Sequence, residues 1–129
     1  MSKMRTLLAT LSLSILPLSA AADQSRSDLQ LRQFVTCVGQ LSAQMEFEWM
    51  FDGPRSEQTK AHRDAMIELV QAIMPPNEGR KILHWRITAK QAHFALLTRA
   101  TFNEDPEDAD WAMQMALTRT ADCGGLLLS

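Results

Sequence analysis

The sequence predicts an all-α protein: a small antiparallel up-down-up-down four-helix bundle with one disulfide, preceded by a signal peptide. Three observations predict it. Glycine and proline number only five each in 129 residues and tyrosine is absent, while Ala, Leu, Met, Gln and Arg are plentiful, so helix formers dominate and strands are not expected. Apolar residues recur at helical spacing in four stretches separated by Asp, Gly and Pro. The only two cysteines, Cys37 and Cys123, stand in the first and the last of those stretches.

The chain opens with Lys3 and Arg5, an apolar run over 6–18, then Ser19, Ala20, Ala21 and Ala22. This is the tripartite layout of a secretory leader, and its run is short for a bilayer span. Residues 1–22 are therefore expected to be removed and 23–129 to form a single helical domain, periplasmic or secreted. In such an oxidising compartment Cys37 and Cys123 should be bonded to each other. Lys and Arg total thirteen, two of them in the leader, against fifteen Asp and Glu, none of them there. The exported chain is thus acidic and gains nothing from counterion release, which argues against nucleic acid as a partner. No later stretch approaches membrane length, so no transmembrane segment is expected in the mature chain.

A first helix is predicted over 28–50, with Leu31, Phe34, Val38, Leu41, Met45 and Trp49 on one stripe and Cys37 and Val35 at its borders. Asp52, Gly53 and Pro54 should turn the chain, and Ser56 is a candidate N-cap for a second helix over 57–74. Its stripe is Ala65, Met66, Leu69, Val70, Ala72 and Ile73, with His62 in the same line, and Pro75 and Pro76 end it. A third helix should begin near Asn77 or Glu78 and reach Asn103. Asp105 before Pro106 predicts an N-cap with proline in the first turn, and Glu107, Asp108 and Asp110 then suit the positive end of the helix dipole. The fourth stripe is Ala109, Ala112, Met113, Ala116, Leu117, Thr120 and Cys123. Gly124 and Gly125 are expected to cap it, with Leu126, Leu127 and Leu128 folding back or left exposed.

In such a bundle helices one and four are antiparallel neighbours, and a Cys37–Cys123 bridge sets Met50 level with Asp110. Closing that loop is worth about 4–5 kcal/mol in the chain-entropy model. Cysteines so far apart in sequence do not resemble a redox pair.

The third stretch holds no acid between Gly79 and Asn103. Ile82, Trp85, Ala89, Ala92, Leu96 and Ala100 form one apolar stripe and Leu83, Ile87 and Phe94 another, with Arg86, Lys90 and His93 in a line between them. That line is a candidate anion or ligand groove, unless its cations pair with Glu46, Glu48 or Glu68. His84 and His93 lie half a turn out of phase and cannot share a metal. The methionines fall mostly on core stripes, and the acids over 104–110 lack calcium-loop spacing. No metal and no cofactor is expected.

No glycine-flanked serine elbow appears, and Glu46 and Glu48 point apart on their helix. An enzyme is therefore not expected. Phe47, Met50 and Phe51 fall off the first stripe, as do Trp111 and Met115 off the fourth, and the disulfide register gathers them at one end. The expectation is an exported protein acting through protein-protein interaction, inhibitor-, immunity- or chaperone-like, on an unknown exported or envelope partner. The alternative is a helix bundle that holds a small ligand, haem or a copper ion.

Overall fold

The computed structural model describes residues 18–129, which form four helices and no strand: α1 (Leu18–Phe51), α2 (Gly53–Ile73), α3 (Gly79–Phe102) and α4 (Pro106–Leu128). Of the expected signal peptide, residues 1–17 lie outside the described residues, and 18–22 belong to the first turns of α1.

Helix α1 starts well before residue 28, yet residues 19–30 are exposed throughout. Helix-forming alanines and local bonds such as the Ser27 hydroxyl to the Asp23 carbonyl, 3.0 Å, hold those turns without packing. Deeper in the helix, Leu31, Phe34, Val35, Cys37, Val38, Leu41 and Met45 are all buried, on the stripe read from the sequence. Trp49 is the exception, at 57% exposure. One turn past Met45 the inward position belongs to Glu48, and Trp49, a further 100° round, faces water.

Helices α1 and α2 are joined by Asp52 alone. The expected turn is instead the cap: the Asp52 carboxylate accepts the Arg55 backbone N–H at 3.2 Å, and Pro54 occupies the first turn. Ser56 is not the N-cap; it is buried and donates to the Gly53 carbonyl. The buried line of α2 is Ser56, Thr59, Met66 and Val70, so Ala72, Ile73 and His62 stand exposed rather than inward. Its first half faces polar Glu48, which is why polar residues are buried there.

Asn77, in the left-handed region at φ 67°, turns the chain into α3. On α3 the structure corrects the two-stripe reading. Leu83, Ile87 and Phe94 are exposed, whereas His93 and Leu97, on the line between the stripes, are fully buried. Gly39 supplies the reason. A Cβ there would stand 2.9 Å from both the Ala89 Cβ and the Lys90 nitrogen and nearer still to the Arg86 carbonyl. Without one, α1 meets the α3 backbone on the face that carries Arg86, Lys90 and His93.

Asp105 caps α4 as the sequence predicts, accepting the N–H groups of Glu107 and Asp108, with Pro106 in the first turn. Gly124 and Gly125 do not end the helix, which runs to Leu128. Leu126 and Leu127 pack against the core while Leu128 is exposed, so the tail is α4's last turn and not a folded-back segment. Burying two leucines in part outweighs the helix penalty of about 1 kcal/mol per glycine.

Helix α1 packs most extensively on α3 and α2, and α4 packs chiefly on α3 while touching α1; α2 and α3 do not meet. The disulfide Cys37–Cys123, Cα–Cα 5.6 Å, ties α1 to α4 as expected. Around it lies one apolar cluster (Leu31, Val35, Val38, Leu41, Met66, Val70 and Ile82 among others). A second cluster joins Leu96, Leu97, Ala112 and Ala116, with Phe47 and Met115 against it.

Candidate functional site

Between the two apolar clusters α1 carries buried polar side chains. The Gln44 amide N–H donates to Glu48 Oε1 at 2.9 Å, and the Thr59 hydroxyl donates to Glu48 Oε2 at 2.6 Å. Arg55, largely exposed, approaches Glu48 Oε1 at 3.5 Å from the rim. On the other side His93 Nε2 meets Gln44 Oε1 at 2.9 Å. With the Gln44 amide nitrogen committed to a carboxylate, its oxygen can only accept, so the His93 proton sits on Nε2. That leaves Nδ1 buried with no partner. Burial, reinforced by the charge of Arg119, pushes the His93 pKa down to about 4. A polar line thus crosses α3, α1 and α2: its His93 end is enclosed, whereas Gln44, Glu48 and Thr59 line a pocket of about 420 Å³ with Arg55, Gln58 and His62, and the line is suited to fixing helix register.

The three residues of the expected groove are divided. Lys90 is paired with Glu46 at 2.6 Å, on one of the carboxylates the sequence reading offered as its partner. His93 is neutral and enclosed. Of the three, only Arg86 is a cation without an ion-pair partner among the described residues, and it is half-buried with its carbonyl under Gly39. The line cannot present three cations to one anion, because α1 covers its inner face.

The apolar set is arranged differently. Met50, Phe51 and Trp111 are exposed by 60%, 63% and 50%, and Phe102 at the end of α3 by 74%. Phe47 and Met115 are half-buried against the second apolar cluster. The rings of Phe47 and Phe51 are 4.8 Å apart, and Arg99 lies over Trp111 at 4.9 Å while bonded to Asp108. That hydrogen-bonded ion pair holds the Asp108 carboxyl below its ordinary range. Around this end Asp52, Glu104, Asp105, Glu107 and Asp110 are exposed carboxylates with no ion-pair partner among the described residues, while both nearby cations, Arg55 and Arg99, are taken.

No three or more His, Cys, Asp or Glu among the described residues stand together as metal ligands, and His62 is exposed on α2. No helix among them is long and apolar enough to cross a membrane. Compared with known proteins, the chain matches no family model, no curated relative and no solved structure. Sequence reasoning missed Gly39, Gln44 and Thr59. A lone glycine inside a long helix is the one signal that marked a close helix approach.

Proposed function

We propose that this is an exported, non-catalytic up-down-up-down bundle that works by docking its apolar end on a partner protein. The register supports the topology. Contacts between α1 and α3 rise together in number, Arg32 with Trp85 and Gln44 with His93, whereas Glu48 meets Thr59 on α2 and Cys37 meets Cys123 on α4. A disulfide and a leader-like start support export.

The observation that carries the reading is the exposure of Met50, Phe51, Phe102 and Trp111 at one end, inside a rim of unpaired carboxylates. Large apolar side chains gathered at one place mark interaction surfaces, and aromatics and Met are enriched there. The rim specifies the partner: an exported or envelope protein with an apolar contact face bordered by Lys and Arg. A second copy would set carboxylates against carboxylates, which disfavours self-association.

A photo-crosslinking amino acid placed at Met50 or Trp111 in the producing cell tests this. The expected result is one shared adduct from both positions and none from the exposed control position Gln71, with the crosslinked peptide of the partner net basic. No adduct, or the same adducts from all three positions, overturns the reading.

A further inference from the structure

A second site lies away from the apolar end, in a groove between α1, α3 and α4. Arg32, Thr36 and Gln40, one turn apart on α1, make its floor; Trp85 and Thr88 of α3 stand on one side and Arg119 of α4 on the other. Two lobes of about 440 Å³ and 430 Å³ share Arg32, Thr36, Gln40 and Arg119. Each is within the roughly 300–1,000 Å³ range of small-molecule sites. Ala89 and Ala92 on the α3 side keep the second lobe open. The first lobe is walled by the disulfide and Leu126 and is mainly apolar.

The donors in this groove are unspent. Neither arginine forms an ion pair among the described residues, and neither they nor Thr36 and Thr88 make a side-chain hydrogen bond there. Gln40 turns its amide oxygen to the Cys123 sulfur at 3.3 Å, which leaves its N–H₂ group without an acceptor. The Arg32 guanidinium lies 5.2 Å from the Trp85 ring centroid and is held over its face. Asp122 is the carboxylate in the lining, in the first lobe, and is in ion-pair contact with neither arginine. Two free arginines so placed stand out in a chain of net charge −2.

We infer that this groove binds a small organic anion, a carboxylate, phosphate or sulfate on an apolar body. Arg32 and Arg119 take the anionic group from opposite sides, and the hydroxyls of Thr36 and Thr88 and the Gln40 amide complete its hydrogen bonds. The apolar body lies in the first lobe, against the disulfide and Leu126. The inference does not depend on the docking end, which shares none of these residues.

Titration with 1-naphthyl phosphate, 1-naphthol and inorganic phosphate, followed by calorimetry and by the indole N–H resonances of the three tryptophans, tests it. The ester is expected to bind one to one and to shift Trp85 while leaving Trp49 and Trp111 in place. Arg32→Gln and Arg119→Gln should each weaken it about tenfold without changing Tm, the loss of one charge-assisted contact. Naphthol should not bind, and inorganic phosphate should bind more weakly than the ester. No binding of the ester at millimolar concentration, equal binding of naphthol, or unchanged affinity in both variants overturns the site. Inorganic phosphate binding as tightly as the ester overturns the apolar-bodied ligand class.

Discussion

His93 makes the stability of this protein depend on pH in a calculable way. In the unfolded chain its imidazole titrates near the ordinary value of 6.5, and in the fold near 4, because the charged form has no water around it and Arg119 is close. The folded state therefore binds fewer protons than the unfolded state between these values, and lowering the pH favours unfolding. The contribution is fully present above pH 6.5 and is lost as pH falls through 4. Integrating between pH 7.5 and 4.5 gives a loss of about 2.5 kcal/mol from this one group. Urea unfolding of wild type and His93→Gln across that interval measures it. Carboxylates such as Asp64 and Asp108, also held below their usual range, lose stability as pH falls, but equally in both proteins. The difference between the curves isolates His93, even if the variant is less stable at every pH. Parallel curves would refute the burial argument.

Four further outcomes are expected. Gly39→Ala should destabilise the protein by about 1–2 kcal/mol in urea unfolding, because its clash with the α3 backbone outweighs the roughly 1 kcal/mol that alanine gains in a helix. Reducing Cys37–Cys123, which closes a loop of sequence separation 86, should lower stability by up to about 4–5 kcal/mol, read as the shift in urea midpoint with and without reductant. Glu48→Ala should cost about 2–3 kcal/mol by orphaning the Gln44 and Thr59 donors, and Glu48→Gln distinctly less, since an amide oxygen still accepts one of them. Asp105→Ala should cost about 1 kcal/mol by freeing the N–H groups of Glu107 and Asp108, with the first α4 turn exchanging amide hydrogens faster.

What the sequence made legible was local or pairwise. The stripe from Leu31 to Met45 is one helix face, Asp105 with Pro106 is a self-contained cap, and two lone cysteines leave one pairing. What it hid depends on where helices cross. Asp52, Gly53 and Pro54 read as a turn, but the same residues serve as cap and first turn, and only the packing of α2 on Glu48 distinguishes the two. Hydropathy assigned α3 two apolar stripes, yet Gly39 draws α1 onto the line between them, and His93 is buried through a hydrogen bond that no hydropathy pattern registers. Gly124 and Gly125 read as a stop because the gain from packing Leu126 and Leu127 is tertiary. Of the candidate site, the apolar end was legible as residues off the main stripes. The Arg32 and Arg119 groove was not, because it unites three helices whose order in space differs from their order in sequence.

The central claim is that the acid-rimmed apolar end is where this protein meets its partner. The most direct measurement is the affinity of the crosslinked partner, once purified, for wild type and for a Phe51→Asp, Trp111→Asp double variant whose Tm and near-ultraviolet circular dichroism match a folded chain. Removing two central aromatics should weaken binding at least a hundredfold, the ordinary cost of losing interface hot spots. An affinity within threefold of wild type would contradict the claim.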